Sequence, residues 1–542
     1  MSSASSRGAD QEHGSARHRL ALAAILALAL LLPLIPAGRR VLWESNEARY
    51  PLLAQDILEH GRWLVPEVRG QLYLNKPQLF FWSIALVSLP AGRVSELTAT
   101  LPSVLSAVAA VGAVLAIGTR LWGRRAGLLA GLITATAPPF FVFGHIAIPD
   151  MMLTAGLTWT LYWFLRAAES GWARGPLVGF YLCAALAIGS KGPPGYAALA
   201  AAIVAVLGTE GRRGLPRLRP GLGLSILAVA SLPWIVPYSM QSHGQFRSDV
   251  LVGHYGVWVL RGSLLARVEG LAQTLGNFLP WSIFLIAAAW SWRRAPDAGR
   301  RRVIFWTATL WALLVLTGLP RSHYLLPVYP LLALLTAERL ARAPADDRAR
   351  AFRVAALIAS IYAAGLALAL ILRPALLARG EDATFVPAEA WERAVVALIL
   401  VGGAVATGLL GRRRAWVAMT VAVALSLAGA IVVIGIRYPL RHARDYDVRP
   451  LAAVAAGHAG ASGTVFGYPD LRLPYDFYLG RPAVELTTIE PVRRLLASPE
   501  PGRVLITSRE RWGELSAEAP PAWRVLASRT LDGREIVVVG AR

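Results

Sequence analysis

Residues 43–82 read WESNEARYPLLAQDILEHGRWLVPEVRGQLYLNKPQLFFW. This segment follows the first long apolar run of the chain directly. It holds Glu44, Glu47, Arg49, Asp56, Glu59, Arg62, Glu67, Arg69 and Lys76, interleaved with Trp43, Tyr50, Trp63, Tyr73 and Trp82. Long apolar runs precede and follow it. A charged, aromatic-rich segment between long apolar runs predicts a loop beside a bilayer, joining helices that cross it. The plain alternative is an amphipathic loop lying passively on the membrane surface.

The rest of the 542 residues supports the membrane reading. The composition is 55% hydrophobic and only 16% charged. Apolar runs of about 17–25 residues recur, long enough to cross the hydrocarbon core as helices. They are continuous Leu, Ala and Val rather than short alternating strands, which excludes a barrel. Candidate spans lie near 20–37, 97–118, 126–143, 151–168, 176–190, 192–209, 221–240, 272–291, 303–319, 324–339, 353–374, 393–410 and 415–437, about thirteen in all. The run 78–91 is short and closed by Pro90, so it is expected to be interfacial or re-entrant.

The formal net charge is +22. In a soluble chain this would suggest nucleic acid. Here the excess sits in short loops: Arg124-Arg125, Arg212 to Arg219, Arg293 to Arg302, Arg339 to Arg353, and Arg412 to Arg414. Basic loops between spans mark the cytoplasmic side, so the charge reports orientation. The N-terminal tail 1–19 is then cytoplasmic, and 20–35 is an uncleaved signal anchor. The same parity puts the loop 38–77, the turn His145–Asp150, Lys191, the loop 241–270, the turn Arg321–His323 and the C-terminal tail on the outer face. Cys183 is the only cysteine, so no intrachain disulfide and no cysteine metal site arises.

From residue 441 the pattern changes. Strand-length runs at 464–468, 483–486, 504–507, 524–527 and 535–539 alternate with helical stretches around 449–459 and 490–497. This predicts a small α/β domain, 441–542, outside the membrane. Residues 20–440 form the membrane domain, with 38–77 as its first outer loop.

The ionisable groups at the outer span ends define a candidate chemistry. A sugar leaving a lipid phosphate needs cations against the phosphate as the glycosidic bond breaks. An acceptor hydroxyl is helped by a carboxylate base. Arg49, Lys76, Lys191, Arg321 and His323 supply donors, and Glu44, Glu47 and Asp150 supply carboxylates. Several have a structural alternative. Lys191 and Arg321 would snorkel to lipid phosphates. Asp150 after Pro149 would cap a helix. His323 and Tyr324 would pack as an interfacial pair. Their collection on one face favours function.

At these residues the chain resembles a known group. In order along the sequence stand NEARYPLLAQDILEHGRWLVPEVRGQLYLNKPQLFFW, IPDMMLT, GSKGP, LPRSHYLLPVYPLLALL and, from Tyr475 to Pro482, YDFYLGRP. This set is similar to the motifs of the polytopic GT-C glycosyltransferases related to protein O-mannosyltransferases, particularly the bacterial lipid A 4-amino-4-deoxy-L-arabinose transferases. The resemblance implies a GT-C fold of about thirteen helices. It implies transfer of a sugar from a polyprenyl (undecaprenyl) phosphate to an envelope acceptor, lipid A or another glycolipid, at the outer face of a bacterial inner membrane.

By motif position, Arg49, Lys76, Lys191, Arg321, His323 and Tyr324 would form the donor-phosphate site. Glu47 and Asp150 would be the acids near the reacting centre. The family's first acid is replaced by Asn46, with Glu44 two residues upstream as a substitute; an acceptor that is already an anion would need no base. Asn75 stands where the arabinose transferases often carry an acid linked to a metal. His254 is a weak metal candidate, and a divalent metal stays open. Protein O-glycosylation is the alternative enzyme reading. A lipid-linked-sugar transporter would show inverted repeats and charges at the bilayer midplane. An inactive binding scaffold is left open by Asn46.

Overall fold

The computed structural model describes residues 2–242, 264–290, 297–316, 321–342, 349–377 and 385–541. The chain divides into two units. The larger gathers 1–36, 74–80 and 100–436; the smaller gathers 37–73, 81–99 and 437–542.

The larger unit is helical. Among the described residues of the whole chain, eight helices are long and apolar enough to cross a membrane, or up to ten if each bent pair counts as one span. The count falls below the expected thirteen for visible reasons. The run 78–91, which is not one of the thirteen, forms the helix Leu79–Ala91, which spans about 20 Å at 1.5 Å per residue and falls short of the hydrocarbon thickness. The helices Asp150–Glu169, Arg174–Lys191 and Ala298–Leu316 do form where apolar runs predict them. They carry charged residues at one or both ends.

Two runs are broken rather than straight. Arg124–Thr136 and Pro138–Gly144 meet at 55°. Pro138 lacks an N–H and drives Ala137 into extended geometry, φ −66° and ψ 128°, which ends the first helix. Arg267–Asn277 and Trp281–Trp290 meet at 105°.

Small residues let these helices approach closely, as expected where lipid offers no hydrophobic drive between them. A Cβ on Gly156 would stand 3.0 Å from Ala187, so Asp150–Glu169 and Arg174–Lys191 touch nearly backbone to backbone. A Cβ on Gly208 would stand 2.4 Å from the Phe305 ring. Larger side chains fill the centre: Trp281, Trp306, Phe164 and Phe284 are fully buried, and Phe278 stacks on Tyr329 at 5.6 Å.

Ion pairs tie several helix ends. Arg120 pairs with Glu169. Glu210 takes Arg217 at 2.9 Å and Arg302 at 3.2 Å. Buried Glu338 takes Arg342 at 3.3 Å and Arg300 at 3.6 Å. Glu169 closes the helix that Asp150 opens, so the Arg120 pair and Asp150 lie at opposite ends of it.

The smaller unit holds a hairpin and a five-stranded sheet. The hairpin pairs β1 (Glu67–Val68) with β2 (Gln71–Leu72), antiparallel. The sheet comprises β3 (Val465–Gly467), β4 (Val484–Glu485), β5 (Val504–Ser508), β6 (Trp523–Leu531) and β7 (Arg534–Ala541), in the order β4-β3-β5-β7-β6. The strands fall where the short apolar runs predict them. β3 is parallel to β4 and β5, and β7 is antiparallel to β5 and β6.

Alternation builds two apolar layers on the sheet. Val504, Ile506 and Val538 join a core with Leu451, Ala452 and Ala455 of the helix Arg449–Ala459. Leu505, Val537 and Val539 join another with Val492, Leu495, Trp512 and Leu515 of the helices Ile489–Ala497 and Arg509–Ser516. Asp532 and Gly533 turn the β6–β7 hairpin, both with positive φ, 51° and 72°. That is the geometry a two-residue type I′ turn requires.

Candidate active site

In the larger unit the candidate residues meet at helix ends. Asp150 is the first residue of Asp150–Glu169; Pro149 is the N-cap, and no side chain caps that terminus. The Asp150 carboxylate is therefore not used as a cap. Lys191 is the last residue of Arg174–Lys191, stopped by Gly192 at φ 80°. The two helices are sequence neighbours packed closely, so the start of one faces the end of the next. The Lys191 ammonium donates to Asp150, and the two side chains are 8% and 4% exposed.

Further groups close around this pair. Lys191 Nζ lies 4.3 Å from the centroid of the Tyr324 ring, a cation–π distance. Tyr324 packs edge-on to His323 at 4.6 Å, and His323 packs against Phe143 at 5.9 Å. Arg321 precedes the 3-10 turn Ser322–Val328 and is exposed. The turn before Asp150 is held by Ser103, whose hydroxyl donates to the Ile146 carbonyl at 2.8 Å. Buried His145 bonds the Phe141 carbonyl through Nδ1 at 2.7 Å. Asn75 and Lys76 precede the helix that starts at Leu79. The Tyr238 hydroxyl donates to the Lys76 carbonyl at 3.3 Å, fixing that backbone.

In the smaller unit the helix Ser45–His60 carries the remaining candidates. Glu44 is its N-cap, exposed, with no capping bond from its side chain. Asn46 is exposed, and its carbonyl oxygen accepts from Arg49 Nη1 at 2.9 Å. Arg49 also lies over the Tyr73 ring at 5.6 Å. Burial pushes the Tyr73 phenol above its ordinary range, although the nearby Arg49 acts in the opposite sense.

Glu47 is different. It is 2% exposed and paired with Arg40. Arg40 also donates to the Val41 carbonyl at 3.2 Å and faces His442 Nε2 at 3.1 Å. A guanidinium has no acceptor atom, so His442 accepts through Nε2 and carries its proton on Nδ1. The rings of Tyr438 and Tyr446 flank His442 at 5.6 and 4.8 Å.

Reading the sequence missed Arg40 and His442. Their only signal was ionisable character at the edge of an apolar run, shared with many other residues. His254 lies outside the described residues. Among the described residues, no three His, Cys, Asp or Glu side chains gather as a metal ion would need. The carboxylates Asp150 and Glu47 thus each face their own cation. Lys76, Lys191 and Arg321 are the candidate cations of the larger unit, and Arg49 is that of the smaller.

Residues 75–236 match the model of the dolichyl-phosphate-mannose-protein mannosyltransferase family. The undecaprenyl phosphate-α-4-amino-4-deoxy-L-arabinose arabinosyl transferase of Erwinia tasmaniensis is 28% identical over 355 residues, 62% of this chain and 62% of the relative. Its counterpart from Edwardsiella ictaluri is 26% identical over 369 residues, 65% of each. The chain thus spans just under two thirds of the length of these curated relatives. The crystal structure of ArnT from Cupriavidus metallidurans bound to undecaprenyl phosphate superposes with a TM-score of 0.77 at 20% identity, covering 95% of this chain and 97% of that one. The oligosaccharyltransferase of Archaeoglobus fulgidus gives 0.51 at 11% identity, covering 92% and 71%. The chain therefore has the polytopic GT-C fold with a small C-terminal α/β part, and its sequence resembles the aminoarabinose transferases and O-mannosyltransferases.

Proposed function

We propose that this chain is an integral-membrane glycosyltransferase that takes a sugar from a polyprenyl phosphate, undecaprenyl phosphate in a bacterium, and places it on an envelope glycolipid such as lipid A. The reaction takes place at the outer face of the inner membrane, with the N-terminus cytoplasmic and residues 441–542 extracytoplasmic. The observation that carries the reading is the buried Asp150–Lys191 pair capped by Tyr324. A buried ionic cluster at the ends of membrane helices is costly, and function is its default explanation.

In the reaction, an acceptor oxygen forms a bond to the anomeric carbon while the bond from that carbon to the phosphate oxygen breaks. The electron pair stays on the phosphate. Lys191, Arg321 and Lys76 neutralise that charge, as does Arg49; His323 and Tyr324 line the donor. Asp150 holds Lys191 at its station. Asn46 has no basicity, so proton removal falls to Glu44 or Glu47 where the acceptor is a hydroxyl. An acceptor phosphate brings its own negative charge and needs no base. A second reading, transfer to a protein hydroxyl, is favoured by the match of residues 75–236 to the mannosyltransferase model.

The test uses the full chain purified in detergent, radiolabelled polyprenyl-phosphate sugars, and crude envelope lipids or protein as separate acceptors. Label is expected in the glycolipid fraction and lost in Lys76→Ala. Label in protein alone would favour the second reading. No transfer with any donor, together with unchanged envelope lipids in Lys76→Ala cells by mass spectrometry, would remove both.

A further inference from the structure

The β1–β2 hairpin turns on Arg69 and Gly70, with φ of 54° and 71°. Both fall in the left-handed region, as a two-residue type I′ turn demands. Glycine adopts it freely; arginine is disfavoured there. A strained residue persists where its surroundings over-determine it, and here they do.

Every arm of the Arg69 guanidinium is engaged. Nε donates to Asp476 Oδ2 at 2.6 Å, Nη1 to Glu485 Oε2 at 2.5 Å, and Nη2 to the Leu471 carbonyl at 2.8 Å. Asp476 is buried in the short helix Pro474–Leu479, and its other oxygen receives the Ala483 N–H at 3.0 Å. Glu485 lies on β4, the edge of the sheet. The turn is thus fastened to three points of the C-terminal segment, about 400 residues further along the chain.

Immediately beyond β2 stands Tyr73. Its N–H closes the hairpin onto the Pro66 carbonyl at 3.2 Å. Its buried ring lies beneath Arg49, and its hydroxyl bonds Tyr50 and Arg49. The base of the hairpin is held separately: Asp56 takes the Glu67 N–H at 3.0 Å, and Arg62 bridges Asp56 and Glu67. Arg69 therefore governs the tip and the emerging strand rather than the existence of the hairpin.

We infer that Arg69 is a positioning residue: by clamping the 67–72 hairpin to Asp476 and Glu485, it sets Tyr73 beneath Arg49 and so orients the Arg49 guanidinium for a lipid-linked phosphate. This rests on the reading of Arg49 as a donor-phosphate cation. The C-terminal segment then has a part in donor binding through the hairpin.

The experiment titrates undecaprenyl phosphate into the full chain in nanodiscs and measures its Kd, with the thermal unfolding midpoint recorded in parallel. Arg69→Ala is expected to weaken binding about tenfold and also to lower the midpoint, because Asp476 is left buried without its cation, and Arg69→Lys, which keeps the charge but not the fork, to do less of both. In an Arg49→Ala background, Arg69→Ala should cost nothing further, since two residues acting through one contact are not additive. A purely structural role would not give that result. Should Arg69→Ala fail to fold, Asp476→Asn carries the same expectations. Unchanged binding in Arg69→Ala, or a full additive loss on top of Arg49→Ala, overturns the clamp while leaving the donor site standing. Failure of the wild-type chain to bind undecaprenyl phosphate removes the donor-site reading, and the inference with it.

Discussion

Truncating Lys191 to alanine leaves the Asp150 carboxylate buried without the cation it faces. Breaking one partner of such a pair costs about 3–5 kcal/mol, whereas replacing both by uncharged groups of similar volume is often neutral. Lys191→Ala is therefore expected to lower the unfolding midpoint in detergent and to abolish transfer. Asp150→Asn combined with Lys191→Met is expected to restore most of the midpoint without restoring transfer. Thermal unfolding and donor turnover on the same preparations separate the two effects; recovery of both would mean that the pair serves stability alone. At this scale much was legible in advance. Asp150, Lys191, His323 and Tyr324 are conspicuous as polar groups at the ends of apolar runs. Their mutual contact was not, because 41 residues separate Asp150 from Lys191 and only close packing of two helices joins them. Arg40 and Glu47 are seven residues apart across a loop, where no helical or strand period predicts a meeting.

The helices that deliver those residues depend on small side chains. Gly156 sits against Ala187, where even a methyl group would stand only 3.0 Å from its Cα and Cβ. Gly156→Leu is expected to push Asp150–Glu169 away from Arg174–Lys191, to destabilise the chain by about 1–3 kcal/mol through overpacking, and to weaken donor binding by separating Lys191 from Asp150. Gly175→Ala on the facing helix Arg174–Lys191, where a Cβ would meet nothing within 4 Å, is the control and should change neither. Unfolding midpoint and donor affinity provide the measurement. Element boundaries followed the sequence where proline and glycine punctuate it: Gly192 after Lys191, Pro138 at the break, Asp532-Gly533 at the hairpin. The short helices Pro474–Leu479 and Arg509–Ser516 escaped the apolar-run reading, since six and eight residues are too few to display a helical period.

For the whole molecule, the arrangement of charge makes a prediction about orientation. The basic loops at 124–125, 212–219 and 412–414 are expected on the cytoplasmic side by the positive-inside rule. A phosphatase reporter fused after Arg542 is expected to be active, and a fluorescent reporter at the same place dark; the reverse would invert the topology. The division of the chain into two units was only partly legible. The composition change near residue 441 is plain in the sequence. The joining of 37–73 and 81–99 with it is not, because that depends on contacts such as Arg69 with Asp476.

The strand order of the smaller unit also dictates when that unit is complete. β7 follows every other strand in the chain, yet it lies between β5 and β6 and contributes Val537, Val538 and Val539 to both faces of the sheet. As the polypeptide is synthesised, β3, β4 and β5 are made first, and one side of β5 waits unpaired. A message broken before residue 534 would still encode every membrane helix and every candidate site residue. Its product would have an open sheet edge and would lack Val537, Val538 and Val539 from the two apolar layers, an exposed strand of the kind that pairs wrongly. Residues 534–541 thus join the two halves of the sheet and complete both of its apolar layers.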